Sequence, residues 1–132
     1  MLPTWPPSTP AVLCVTGPHA IPVSSYVRAG DDRIVVALGS RRETLERLRA
    51  DPAAAFCVLG EGVAFTAHGT AKVLRESLEA AAANTAVELR VERVQDHLAD
   101  GRTEILAAAS WRWLDQNAAA LQPKILAELE TL

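Results

Sequence analysis

The segment LGSRRETLERLRADP (residues 38–52) reads as the end of a β-strand that runs directly into a short helix. Ser40 is the predicted N-cap and Glu43, three residues later, completes a capping box, so the helix is expected to begin at Arg41 and to end at the Asp-Pro dipeptide. Arg41 and Arg42 then lie in the first turn, where the backbone N–H groups already carry a partial positive charge. The segment predicts either an anion bound at this helix start or two solvated charges.

A phosphate monoester would suit this helix start. The free N–H groups, the Ser40 hydroxyl and the two guanidinium groups together satisfy most phosphate oxygens, and Thr44 offers one more hydroxyl. Glu43 would repel a phosphate if its side chain folded back into the capping box. The capping box and the phosphate site are therefore competing predictions.

The composition indicates one globular domain, residues 1–132, with an extended and poorly ordered lead over residues 1–10 and a C-terminal helix over residues 115–132. The hydrophobic content of 49% is enough for a packed core, and the formal charge of −3 argues against a general nucleic-acid surface. No leader pattern and no run long enough to span a bilayer occurs, so we expect a soluble, cytoplasmic protein.

Strand patterns dominate the chain, and mostly short turns separate them. We expect an antiparallel barrel with short helices: one at Ser77 to Ala83, where alanine is frequent, and one that Asp115 caps and that is interrupted or restarted at Pro123. The seven predicted strands cover residues 11–17, 20–30, 33–39, 53–60, 63–74, 87–94 and 103–115.

The last of these segments, TEILAAASWRWLD, is ambiguous. Its alanines favour a helix, whereas a period of two places Ile105, Ala107, Ala109, Trp111 and Trp113 on one face. We interpret it as a strand that pairs with the preceding one, with its two tryptophans packed in the core or in a subunit interface, or else in contact with a ligand.

Few residues suggest catalysis. His19, His68 and His97 are too dispersed to form a ligand set and are expected to have surface or structural roles, with His19 a partial exception because it lies beside a strand that could line a binding site. Cys14 and Cys57 lie in apolar strand patterns and are interpreted as small core residues. No nucleophile elbow, phosphate loop or metal-ligand spacing occurs, so no metal is expected and no catalytic residue is assigned.

The order of these elements resembles that of a known family. A strand ending LGSRR, a helix ending in Asp-Pro, a hairpin and a strand with HGTAKV follow one another as in the pyridoxamine 5′-phosphate oxidase-like FMN-binding split-barrel proteins. GPHAIPVSSYV is similar to the second strand of that family. The likeness covers most of Pro10 to Arg75 and implies a mainly β fold, a six- to seven-stranded antiparallel split β-barrel of Greek-key type with peripheral helices.

The resemblance also implies a function. It implies FMN bound at the interface of a homodimer and a flavin-dependent oxidoreductase that acts on a small organic molecule. The phosphate would contact Ser40, Arg41, Arg42 and Thr44. The ribityl chain and the ring would lie along Val23, Ser24, Ser25 and Tyr26.

Other readings of the same resemblance stay open. The C-terminal segment in which pyridoxamine 5′-phosphate oxidase carries its substrate-binding residues has no counterpart here, so pyridoxine phosphates are not expected substrates. Some relatives use the deazaflavin F420, whose acidic tail would require cations such as Arg47 and Arg49. A non-catalytic flavin carrier or sensor, and a barrel without cofactor, are the remaining alternatives.

Overall fold

The computed structural model describes residues 1–132, which form seven β-strands and two α-helices. In chain order these are β1 (Ala11–Val15), β2 (His19–Val23), β3 (Tyr26–Arg28), β4 (Arg33–Gly39), α1 (Glu43–Ala50), β5 (Ala53–Gly60), β6 (Val63–Arg75), β7 (Asn84–Asp96) and α2 (Gln116–Glu130).

All seven strands belong to one antiparallel sheet in the order β2-β1-β5-β6-β7-β4-β3. The two outermost strands, β2 and β3, are joined only by Ser24 and Ser25. Three Cα-to-Cα steps separate Val23 from Tyr26, which limits their separation to about 11 Å. The sheet must therefore curl until its two edges approach each other, and the prediction of a mainly β split barrel is confirmed.

The inside of the curl holds the main core. Alternation places Leu13 of β1 and Phe56 and Val58 of β5 inward, where each is at most 4% exposed. Leu45 and Leu48 of α1 complete this core, as the amphipathic pattern of the helix predicts.

Helix α2 packs on the outer face of the sheet, where a second and smaller core lies. Ile125 and Leu129 contact a cluster that includes Val35 of β4 and Ala86 of β7. Asp115 caps the helix by accepting the N–H groups of Asn117 and Ala118, as predicted. The prediction of a break at Pro123 is wrong, because the helix is continuous through it and the buried residues on its C-terminal side hold that half against the sheet.

Two further element predictions are wrong. The single strand expected over residues 20–30 divides into β2 and β3, because the chain crosses there from one edge of the sheet to the other. The helix expected over residues 77–83 is a series of turns. Seven residues scarcely offset the cost of helix nucleation, and the Glu128 carboxylate accepts the N–H groups of Glu79 and Ala80 within this stretch.

The strand expected over residues 103–115 does not form either. Its one backbone hydrogen bond to another part of the chain joins the Gly62 N–H to the Ile105 carbonyl. Strand β7, its expected partner, is already paired with β6 on one side and β4 on the other. The segment therefore has no free sheet edge beside it and runs across the surface without regular structure.

The proline-rich lead is more tightly packed than its composition predicts. Leu2 is buried, and the Trp5 ring lies between Tyr26 and Phe65 with centroid separations of 6.3 and 5.0 Å. Arg28 donates hydrogen bonds to the carbonyls of Leu2 and Pro3. Neither helix of the chain is long and apolar enough to cross a membrane, and the cytoplasmic location stays a prediction.

Candidate functional site

A cleft of about 280 Å³ opens where the two edges of the sheet approach each other. Its walls come from the β2–β3 link with Ser24 and Ser25, from the end of β4, and from Arg42, Asn84 and Trp113. Residues far apart in sequence meet here because the curl of the sheet brings β2 beside β4. We call this site the split cleft.

Arg42 supplies the positive charge of the split cleft. It is the only ionisable residue among the lining residues, and its side chain lies over Gly39, where an added Cβ would come within 3.3 Å of the Arg42 Cγ. Arg42 is also the residue that precedes α1, and no side chain caps that helix. The backbone N–H groups of the first turn, with their partial positive charge, thus stay uncapped beside a guanidinium group.

The predicted N-cap is wrong. Ser40 lies two residues before the helix N-cap, and its Oγ shares a hydrogen bond of 2.9 Å with the Thr85 hydroxyl. The helix begins at Glu43 rather than Arg41, because the chain makes a turn after β4, in which the Arg42 N–H donates to the Gly39 carbonyl. The serine side chain therefore ties the end of β4 to β7 instead of capping α1.

Glu43 does not form the predicted capping box. Its carboxylate accepts a hydrogen bond of 3.0 Å from Arg47 one turn later and lies 3.6 Å from the His19 Nδ1. These two partners contact one oxygen each of the Glu43 carboxylate. The capping box, which the sequence offers as the alternative to an anion site, therefore does not form. The Glu43 carboxylate is bound to other residues.

Polar groups hold the wall of the split cleft that the β2–β3 link forms. The Ser25 hydroxyl donates to the Gln122 Oε1 at 2.7 Å, and the Gln122 amide donates to the Ser24 carbonyl at 3.4 Å. The Ala37 N–H donates to the Ser25 carbonyl, which joins the link to β4. Gln122 is buried, so α2 fixes the conformation of the β2–β3 link from behind.

The structure brings together half of the residues predicted for the cofactor. Val23, Ser24, Ser25 and Arg42 line the split cleft, and Val23 is only 8% exposed. Ser40 lies just behind Gly39, with its hydroxyl paired as described above.

The other predicted residues lie outside the split cleft. Arg41 is exposed beside it. Thr44 is 1% exposed and shares a hydrogen bond of 2.9 Å with the His19 Nε2, which gives this histidine the structural role expected of it. Tyr26 points into the barrel, donates to the Thr9 carbonyl and accepts from the Trp5 indole, and burial raises the pKa of its phenol above the usual 10.0.

Six of the ten residues that line the split cleft were not predicted as cofactor ligands, and Asn84 and Trp113 are the two among them with a polar or an aromatic side chain. Asn84 begins β7 and carries no motif that could identify it. The alternating pattern places Trp113 in a predicted strand, where a ligand contact is one interpretation and packing in the core or in a subunit interface is the other. The signal that the sequence offers for a ligand contact is a pair of tryptophans in a segment made largely of small residues.

The cysteines are not core residues, contrary to the prediction. Cys14 and Cys57 are half-buried, free thiols on the outer face of β1 and β5, because the inward positions of both strands are those that alternate with them. Burial, together with the neighbouring Cys57, raises the pKa of the Cys14 thiol. No group of three histidine, cysteine or acidic side chains is arranged to hold a metal ion.

Comparison with known proteins identifies the fold. No protein-family model matches the sequence. No curated protein is similar to it in sequence.

Solved structures, by contrast, do match. A candidate pyridoxamine 5′-phosphate oxidase from Listeria innocua superposes with a TM-score of 0.55 at 16% identity, over 67% of this chain and 88% of that one. An FAD-binding protein from Mesorhizobium loti gives a TM-score of 0.54 at 15% identity, over 65% and 81%.

A heme-binding protein from Mycobacterium smegmatis gives a TM-score of 0.53 at 19% identity, over 68% of this chain and 49% of that one. The chain therefore spans about half the length of that relative. At these identities the likeness concerns the fold, and the chain has the split-barrel fold of the pyridoxamine 5′-phosphate oxidase-like proteins.

Proposed function

We propose that this protein binds FMN in the split cleft and is an oxidoreductase that acts on a small organic molecule. The observation that carries the proposal is the position of Arg42: a guanidinium beside an uncapped helix start, at the mouth of a cleft whose other walls are apolar or neutral. This combination suits a ligand with one phosphate and one large planar ring.

Arg42 is the principal proposed ligand of the phosphate, and Arg41 extends the positive field from the solvent side. Ser40 and Thr44 are weaker candidates, because each hydroxyl would first have to leave its present partner, Thr85 or His19. The ring would lie along Val23, Ser24 and Ser25. Tyr26 would reach the ring only with its backbone atoms, because its side chain points into the barrel.

Bound FMN would supply hydride transfer at its N5 atom, and the chain would bind and orient it. Arg42 is the only ionisable side chain in the lining, so we assign no catalytic acid or base.

We further propose a two-fold homodimer with the cofactor at the interface. The split cleft, at about 280 Å³, lies at the lower limit of small-molecule sites, so a second wall from another subunit would complete it. Several large apolar side chains of the chain are exposed and could form this interface: Val12 38%, Leu59 54%, Leu106 76%, Trp111 39% and Leu114 84%.

The alternatives receive less support from the side chains. The cations that a deazaflavin F420 tail would need are engaged, since Arg47 bonds Glu43 and the Thr16 carbonyl while Arg49 bonds Glu76. A haem would need an axial ligand, and no histidine, cysteine, methionine or tyrosine lines the split cleft. A flavin carrier or sensor would use the same site as the enzyme.

The first test is the identity of the cofactor. Purified protein should show the absorption bands of oxidised flavin, and mass spectrometry of the released molecule should give FMN. Replacing both Arg41 and Arg42 with alanine should weaken FMN binding by several kcal/mol, since the charge-assisted bond of Arg42 contributes about 1.5 to 3 kcal/mol and the more distant charge of Arg41 adds to it, and should leave riboflavin binding nearly unchanged.

The double variant needs a matched control. Arg93→Ala removes an exposed cation from β7, away from the split cleft, and should change neither affinity. Equal FMN affinity in the double variant and the wild type would remove the phosphate assignment. Reduction of the bound flavin by NAD(P)H, followed by reoxidation with a library of small organic molecules, separates an oxidoreductase from a carrier.

A further inference from the structure

Trp113 is the one aromatic side chain in the lining of the split cleft. It comes from residues 97–115, a segment without helix or strand, so no regular element fixes its position. The next residue, Leu114, is 84% exposed, whereas Trp113 is half-buried against the cleft. The local conformation thus turns the larger and less flexible of two adjacent apolar side chains inward.

A short series of contacts holds Trp113 in place. Its ring meets the Trp111 ring edge to face, with centroids 5.4 Å apart and an interplanar angle of 79°. The Trp111 indole N–H donates a hydrogen bond of 2.9 Å to the Ser8 carbonyl. This anchor connects the late segment to the N-terminal lead, 103 residues earlier in the chain.

The backbone of Ser8 is unusual. It is the only residue other than glycine with a positive φ, 66°, a conformation that costs free energy for a residue with a side chain. Two nearby hydrogen bonds hold the N-terminal lead in this conformation. The Thr9 hydroxyl donates to the Pro6 carbonyl, and the Thr9 carbonyl accepts from the Tyr26 hydroxyl. The strained turn therefore presents the Ser8 carbonyl to Trp111.

We infer that Trp113 is a ring-stacking wall of the split cleft and that Trp111, held by Ser8, is its positioning residue. The ligand class that this wall selects is a planar aromatic ring attached to an anion, because Trp113 lines the same cleft as Arg42. The inference rests on the proposed function, and it adds the residue that recognises the ring rather than the phosphate.

Ring recognition and phosphate recognition make different predictions for FMN and riboflavin. Trp113→Ala should weaken the binding of both ligands equally, by about tenfold or more, because stacking does not depend on the phosphate. Trp113→Phe should stay within about threefold of the wild type. Arg42→Ala should weaken FMN alone, so each variant serves as a control for the other.

Trp111→Phe tests the positioning role. It keeps an aromatic ring against Trp113 but removes the N–H donor to Ser8, and it should weaken FMN and riboflavin by the same factor, smaller than for Trp113→Ala. The inhibition constant of inorganic phosphate as a competitor of FMN should stay as in the wild type. The urea concentration at the midpoint of unfolding should also stay unchanged. Ser110→Ala, in the same segment and exposed, should leave both flavin affinities as in the wild type.

The outcomes separate this inference from the function on which it rests. Wild-type protein that binds neither FMN nor riboflavin overturns both. Wild-type protein that binds FMN with an Arg42-dependent affinity, while Trp113→Ala binds FMN and riboflavin as tightly as the wild type, overturns the inference alone. Loss of both affinities in Trp113→Ala, with the urea midpoint unchanged, supports it.

Discussion

Arg41 and Arg42 are neighbours in the chain, yet they have different surroundings. Both side chains are exposed, but only Arg42 packs over Gly39 and lines the split cleft. We therefore expect Arg42→Ala to lose about 1.5 to 3 kcal/mol of FMN binding and Arg41→Ala to lose less than about 1 kcal/mol. Fluorescence titration of the two single variants measures the difference. Equal losses would show that the guanidinium nearer the cleft has no special role.

Thr44 provides a second test at this scale. Its buried hydroxyl bonds His19, so Thr44→Val, which keeps the shape, should lower the free energy of unfolding by about 1 kcal/mol without changing FMN affinity. Urea unfolding and FMN titration measure the two quantities, and Thr103→Val, at an exposed position, is the control. A loss of FMN affinity with unchanged stability would restore Thr44 as a phosphate ligand.

The sequence could predict the site only in part. The two arginines after a strand indicate an anion site because they oppose the partial charge of a helix start, and that reasoning does not require the fold. It could not separate Arg41 from Arg42, which depends on the turn that delays the helix to Glu43. Nor could it place Trp113 or Asn84 at the cleft, because contacts between residues so far apart in sequence depend on which strands pair and on how the sheet curls.

At the scale of elements, Glu128 of α2 clamps the turns between β6 and β7. Burial of the carboxylate alone would raise its pKa, but the N–H groups of Ala80 and Glu79 and the guanidinium of Arg75 outweigh burial and lower the pKa below 4.5. The lowered pKa means that the folded state favours the ionised carboxylate. Its contribution is complete above the pKa of the unfolded chain and is lost as the pH falls through the lower, folded value.

Glu128→Gln should therefore unfold at a lower urea concentration than the wild type at pH 7. The difference between the two proteins should shrink as the pH falls below 4.5, because the wild-type carboxylate becomes protonated. Glu130→Gln, on the same helix and exposed, is the control and should match the wild type at pH 7 and below pH 4.5. A difference that is independent of pH would contradict an ionic clamp.

Local patterns predicted most of the elements. Alternation identified the strands that pair through short turns, and Asp115 identified the start of α2. One error shows why local patterns are insufficient: the pattern of residues 103–115 suits a strand, but a strand needs a free sheet edge, and β7 is already paired with β4 and β6. Whether an edge is free is a property of the whole sheet.

At the scale of the molecule, the proposed dimer predicts a measurable mass. Light scattering should give about twice the chain mass of 14.1 kDa. Leu59→Glu places a charge on a side chain that is 54% exposed and should produce monomers with weakened FMN binding, whereas Lys72→Glu, on β6, should stay dimeric. A wild-type monomer that retains stoichiometric FMN at low micromolar concentration would contradict the shared site.

The short link between β2 and β3 has one more consequence. These strands lie at opposite ends of the sheet order, yet both contribute to the region around the split cleft through Ser24 and Ser25. A ligand bound there contacts β2, the link to β3 and the end of β4 at once, and it stabilises this arrangement further as its concentration rises above its dissociation constant. Amide hydrogen exchange should therefore slow in β2 and β3 together when the cleft is filled, and central strands such as β5 and β6 should change less.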